Sequence, residues 1–248
     1  FDSNNYEFNP SARTGVYLIH GFSSTTYELK LLANLLDKQG YHVVLNNLPG
    51  HGTDVEDCNK YTYHDWLDYS QVEFAKLCST CDNIFVVGCS MGAVIALYLA
   101  SIFPVSGLII GGTVLKFKLP FHTNYLNTLL CRILKKRSKK LIFPKEIRDT
   151  MQFYGYQDYP LIALNEFRKM NNMMLTKLKK ITSPILMIHS ENDQVSIREN
   201  VEIVTSKIKS KHKEVLELKY AHHNIFDFNK DTLVINQKIV NFIQTYGK

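Results

Sequence analysis

The stretch VVGCSMGAVIAL, residues 86–97, constrains this chain more than any other. A run of β-branched residues stops at Gly88 and a helical pattern starts at Gly92, so only three residues turn the corner. Gly88-Cys89-Ser90-Met91-Gly92 is thus a G-x-S-x-G set between strand and helix, a pattern that is weak alone and specific in this context. On such a corner the serine takes a strained backbone that pushes its hydroxyl out above the sheet edge, and the flanking glycines relieve the crowding. The helix N-terminus adds free N–H groups and a positive dipole end, both favourable to a developing oxyanion.

The surrounding periodicity says what kind of sheet holds that corner. GVYLIH (15–20) is a short buried-strand run, followed by TTYELKLLANLLDKQG, where Leu29, Leu32, Leu35 and Leu36 share a helical face. Thr25 and Glu28 have capping-box spacing, and Gly40 suits the helix stop. YHVVLNN is the second strand and ends in the turn LPGHG; a helix around YHDWLDYSQVEFAKLC leads to the strand NIFVVG. The helix from Met91 to Phe103 stops before Pro104. GLIIGG, SPILMIHS and KEVLELKY are the fourth to sixth strands, and DTLVINQKIVNFIQTYG is the closing helix. Strands separated by helices require crossovers, which predicts an α/β, doubly wound, mostly parallel sheet.

Residues 113–180 break the alternation and read as an irregular basic segment plus helices, without a strand. An insertion after the fourth core strand sits above the carboxyl ends of the strands, where open α/β sheets bind ligands. The expected organisation is a core of residues 1–112 and 181–248 with a cap or lid at 113–180. A chain of 248 residues suits one such domain and buries a sizeable core. Its 45% apolar and 21% charged residues are ordinary for a soluble globular protein, and no window holds the roughly 18 consecutive apolar residues of a membrane span. The first fifteen residues lack the basic start and apolar run of a signal peptide, although a chain that starts at Phe1 leaves a removed leader open.

Five cysteines, at 58, 78, 81, 89 and 131, are an odd number in a mid-sized chain and argue against a disulfide framework. Cys78 and Cys81 form a C-x-x-C, but it closes a helix rather than opening one, and no second pair has metal-site spacing. They read as ordinary thiols in a reducing, cytoplasmic setting. The charge is lopsided: residues 113–145 hold nine Lys or Arg and no Asp or Glu, so with +6 overall the rest of the chain sums to −3. The plainer reading of that run is a solvated face of the inserted segment; the alternative is attraction to an anionic surface. CRILKKRSKK lacks the spaced aromatics of a single-strand groove, so nucleic acid is not an expected partner.

A serine hydroxyl needs a base, and the base an orienting acid. On this type of sheet the chain order is Ser, then Asp or Glu, then His. ILMIHSENDQVS ends a late strand and offers Glu191 and Asp193, while LKYAHHNIFDF follows the last strand and offers His222 and His223. The order Ser90, Asp193, His223 fits.

This arrangement resembles the α/β-hydrolase superfamily over nearly the whole chain, and more narrowly its small bacterial carboxylesterases and monoacylglycerol lipases. The likeness rests on HGFSSTTYELKLLANLL, GYHVVLNNLPGHGT, the Asp65-Trp66 pair, VVGCSMGA, SPILMIHSENDQV and the His223 loop. It implies oxyanion donors at the backbone N–H groups of Phe22 and Met91. It places the base at His223 rather than His222 and the acid at Asp193 rather than Glu191. Phe228 stands where the pattern is often acidic, which bears on support of the histidine loop. His20 and His51 match positions that shape loops around the pocket, and His189 packs at a strand end. The side chain of Cys89 points into the core. No cofactor or metal motif is present.

The resemblance implies two-step acyl transfer on a small-molecule ester, with a short to medium acyl chain or a monoacylglycerol. Thioesterase and aryl or cinnamoyl esterase chemistry share the same triad, and some proteins of this fold bind ligands with little turnover. The Leu-, Phe-, Tyr- and Met-rich stretches of 113–180 either line an acyl slot or form the insertion's own core; the residues alone leave both open. The basic stretch Lys135–Lys145 suggests weak contact with an anionic lipid surface. Oligomeric state is not encoded in any motif.

Overall fold

The computed structural model describes residues 2–141 and 154–247. The described residues form nine strands: β1 (Tyr6–Phe8), β2 (Thr14–Ile19), β3 (His42–Leu45), β4 (Asn83–Cys89), β5 (Gly107–Gly111), β6 (Lys136–Ser138), β7 (Asp158–Pro160), β8 (Ile185–Ser190) and β9 (Lys213–Leu218). Between and after them lie α1 (Lys30–Lys38), α2 (Val55–Cys58), α3 (Tyr63–Thr80), α4 (Met91–Ile102), α5 (Asn127–Leu130), α6 (Leu161–Lys177), α7 (Glu199–Lys207) and α8 (Thr232–Tyr246). Seven strands make one sheet in the order β1-β3-β2-β4-β5-β8-β9. Only β1 runs antiparallel, pairing Tyr6 with Leu45 and Phe8 with Val43. The doubly wound, mostly parallel α/β sheet is therefore as expected, with the short antiparallel strand β1 added at one edge.

Both faces of this sheet are covered, so its strands are apolar without alternation. Val16 and Leu18 of β2 face one core with Leu32 and Leu36 of α1 and Ile239 and Phe242 of α8. Tyr17 and Ile19, one residue out of phase, face the other core with Trp66 and Phe74 of α3 and Val94 of α4. Period-two geometry sorts a single six-residue run into two layers. The α3 helix starts on a capping box in which the Thr62 N–H donates to the Asp65 carboxylate at 2.7 Å. Among the described residues no helix is long and apolar enough to cross a membrane.

The segment 113–180 departs from its reading in one respect. It carries a two-stranded antiparallel pair, β6 with β7, where no strand is expected. Three-residue strands reading KRS and DYP carry no hydrophobic period, which is why they are silent in the sequence. The segment also holds a π-helical turn at His122–Leu126 and the long α6. Phe167, Met170 and Met174 of α6 join the same core as α3 and α4. Part of the segment, residues 142–153, including Lys145 and the start of the MQFYGYQDYP stretch, lies outside the described residues.

Strand order positions the site. The chain moves from β2 outward to β3, then returns to place β4 on the other side of β2 and builds away from it. The carboxyl ends of β2 and β4 are thus a topological switch point, the crevice where open α/β sheets bind ligands. The loops leaving those two ends contain Phe22 and Ser90.

Candidate active site

Ser90 occupies the corner between β4 and α4 at φ 55°, a left-handed conformation unusual for a residue with a side chain. Its N–H donates to Gly111 O at 2.9 Å, which ties the turn to the end of β5. The two glycines are required by close approach of backbones. A Cβ on Gly88 would lie 2.3 Å from Gly92 O, and one on Gly92 would lie 2.0 Å from Ile19 O. Helix α4 thereby starts in contact with β2 and aims its N-terminus at the crevice. Cys89 is buried behind the turn, and burial pushes its thiol well above the ordinary value.

Two distant loops converge on Ser90. His223 Nε2 lies 3.0 Å from Ser90 Oγ, and His223 Nδ1 lies 2.9 Å from Asp193 Oδ2. With the Nδ1–H given to the carboxylate, the Nε2 lone pair faces the serine hydroxyl. Asp193 Oδ1 also accepts from Val195 N at 2.8 Å and Ser196 N at 2.9 Å, which fixes the carboxylate in its own turn. Burial works against the Asp193 charge, but His223 and those N–H groups hold its carboxyl below the ordinary range. Burial likewise opposes the imidazolium, yet Asp193 and, from further off, Glu28 raise His223 above the ordinary 6.5.

The neighbours of both residues face elsewhere. Glu191 is exposed, and His222 is exposed with its Nδ1 3.3 Å from Asn192 Nδ2. The histidine loop is held without help from position 228, whose Phe is exposed. Asp231 accepts the N–H groups of Tyr220 and Ala221, each at 3.0 Å, and Ser190 Oγ donates to Ala221 O.

The loop after β2 carries Phe22. Among the described residues its N–H finds no protein acceptor, and the N–H of Met91, first residue of α4, has no partner within the helix. Glu28 shapes this loop and corrects an expectation. It does not close a capping box with Thr25; it turns inward, 2% exposed, and accepts the Gly21 N–H at 2.6 Å. The first turn is a 3₁₀ turn, and the Thr25 hydroxyl is engaged with Tyr27 N and Tyr154 O. Burial raises the Glu28 carboxyl. Its signal was its place four residues before Leu32 and eight before Leu36, on the apolar face of the helix. Ser23 is a second non-glycine at φ 55°, and its buried hydroxyl has no hydrogen-bond partner among the described residues.

His20 Nε2 accepts from Leu48 N at 3.0 Å, so its proton sits on Nδ1, donated to Gly21 O at 2.8 Å. Burial lowers its pKa to about 4, which keeps this neutral tautomer as a strut between the two loops. His51 packs beside it, ring centroids 5.0 Å apart. His189 is buried on β8, as placed from sequence. The Phe22 ring joins Trp66, Tyr159 and Phe167 in one aromatic cluster. Above Ser90 opens a cavity of about 440 Å³, floored by Phe22, Ser90 and His223 and walled by Leu119, Leu126 and Leu164. Among the described residues no three His, Cys, Asp or Glu side chains are grouped to hold a metal, and the five cysteines are free, with Cys78 exposed and Cys81 buried at the end of α3.

Comparison with known proteins agrees with this architecture. The chain is 30% identical over 245 residues to the thermostable monoacylglycerol lipase of Bacillus sp. (strain H-257), spanning 94% of this chain and 91% of the relative. It is 22% identical over 234 residues to a carboxylesterase of Bacillus subtilis, with 92% of each covered. One of the metagenome-derived lipolytic enzymes LipS and LipT superposes with a TM-score of 0.85 at 23% identity over 98% of both chains. The family described as serine aminopeptidase S33 (Hydrolase_4) matches residues 10–231. The chain belongs to this family of α/β-hydrolases.

Proposed function

We propose that the protein is a serine hydrolase that cleaves carboxylic esters through an acyl-enzyme on Ser90. The observation that carries this reading is His223 set between Ser90 Oγ and the Asp193 carboxylate, on the floor of an apolar cavity. His223 takes the Ser90 proton as Oγ attacks the ester carbonyl, and Asp193 holds the ring in the required tautomer. The oxyanion is received by the N–H groups of Phe22 and Met91. The alcohol leaves with the proton from His223, and water repeats the sequence to release the acid. Esters are favoured over peptides because the relatives are named as a lipase and a carboxylesterase, although the family description names an aminopeptidase.

The cavity's apolar walls suit an acyl chain of short to medium length or that of a monoacylglycerol. Residues 113–180 act as its cap, since they supply Leu119, Leu126 and Leu164 to those walls. The basic, apolar outer side of the cap rests on anionic lipid surfaces.

A small fluorophosphonate should label Ser90 stoichiometrically by intact mass, and Ser90→Ala should lose both the label and at least about 10³-fold of esterase activity. Ester turnover that survives Ser90→Ala rejects this reading. A single slow acylation without turnover points instead to a ligand-binding protein.

A further inference from the structure

The β6–β7 pair carries a cation into the catalytic cavity. Arg137 is opposite Tyr159 in the ladder, and just beyond it the Lys139 N–H donates to Gln157 O at 3.0 Å. Neighbouring residues of a strand face opposite ways, so Arg137 points one way while Lys136 points the other, and Lys139 opens the 3₁₀ turn that follows β6. Lys136 reaches outward to Glu56 at 3.3 Å. On the inner side, Arg137, Lys139 and Tyr159 line the same cavity as Ser90.

Lys139 is unlike the neighbouring cations Lys135, Lys136, Arg137 and Lys140, which are exposed. It is 4% exposed, with Nζ 4.9 Å from the centroid of the Tyr159 ring. Among the described residues it makes no ion pair, and its Nζ donates no hydrogen bond. Glu28 and Asp158 attract it only from a distance, and the Glu28 carboxylate is committed to the Gly21 N–H. Burial outweighs both and pulls the ammonium down to about 8. A buried ammonium without a counter-charge is costly, and the face of Tyr159 offsets part of that cost. An apolar side chain would be the more stable occupant if this wall served only to pack.

We propose that Lys139 is an anion-binding residue of this cavity, with Arg137 at its mouth, and that the preferred substrate is an ester carrying a carboxylate or phosphate. The proposal rests on the ester-hydrolase reading above. The counter-ion that Lys139 lacks among the described residues is then the substrate itself, and apolar walls make a charge-assisted hydrogen bond there strong. Tyr159 is stacked on Phe22 with ring centroids 6.4 Å apart, so the cation stands one ring away from the oxyanion loop. The anion is then bound on the Phe22 side of the cavity, as would suit the half-ester of a dicarboxylic acid or a fatty-acid monoester of glycerol phosphate.

Two matched pairs of esters test this. p-Nitrophenyl butyrate against the p-nitrophenyl monoester of succinic acid places the anion on the acyl side; a 1-monoacylglycerol against its 3-phosphate places it on the alcohol side. The wild type should favour the anionic member of at least one pair, which identifies the side. Lys139→Met should lower kcat/KM on that ester at least about tenfold, change the neutral partner less than twofold, and leave the circular dichroism unchanged. Lys139→Gln serves the same purpose if the Met variant is insoluble. A wild type that favours the neutral member of both pairs overturns the proposal, as does equal loss on charged and neutral esters. Calorimetry with decyl phosphate and decanol reads the site without turnover. Tighter binding of the phosphate by the wild type, lost in Lys139→Met, supports the anion site even if none of the four esters is cleaved, and equal binding of the phosphate by both proteins overturns it.

Discussion

In the mechanism proposed above, the reactivity of Ser90, a poor nucleophile, is set by the protonation of one ring. His223 accepts the serine proton only when neutral, and the charge of Asp193, with that of Glu28 behind it, holds the imidazolium more strongly than water does. Its pKa is therefore raised, so the base is lost as pH falls through a value above the ordinary 6.5. A pH profile of kcat/KM on a neutral ester should show an acid limb with its midpoint above 6.5; a midpoint below it contradicts the charge arrangement. Ser90 was legible because two glycines frame it at a strand–helix junction. Asp193 and His223 were legible as slots, fixed by chain order. Choosing them over Glu191 and His222 needed the family likeness, because loop residues have no period to say which way they face. Glu28 went unread because its spacing from Thr25 satisfies a capping box as well as a buried role.

At the scale of elements, helix α4 starts so close to β2 that no side chain fits between them. Gly92→Ala places a methyl 2.0 Å from Ile19 O, and backbone on both sides leaves nothing flexible to yield. The variant should lose about 3 kcal/mol or more, a fall in Tm on the order of 10 °C by scanning calorimetry. A Tm within about 2 °C of the wild type would mean that the helix start is free to shift. The parallel strands were readable for the same geometric reason: with both faces buried they are simply apolar runs. The elements missed are those too short or too polar to show a pattern. β1, β6 and β7 have three residues each, and α7 buries only Asn200, Val201 and Val204.

Across the whole molecule, charge and apolar exposure coincide. Residues 113–145 hold nine cations and no acid, and the same stretch exposes Phe121, Tyr125, Leu129 and Ile133 at four-residue spacing, the last two at 75% and 76%. Such a face should bind vesicles containing phosphatidylglycerol and release them as salt shortens the range of the attraction. Replacing Lys135, Lys136 and Lys140 by Gln should weaken cosedimentation about 100-fold, at roughly 1 kcal/mol per charge. Binding indifferent to salt would exclude the electrostatic part.

Ser90 is seated by strands that finish at Gly111, yet the ring that faces it stands 133 residues further along the chain. A ribosome needs on the order of ten seconds to make that stretch. On the proposed mechanism, the growing chain holds through that interval a serine with no base to activate it, mute toward esters. Under the same proposal, covalent labelling of Ser90 is a stopwatch for β9 and the loop that follows it: the serine wakes when the His223 loop closes on it.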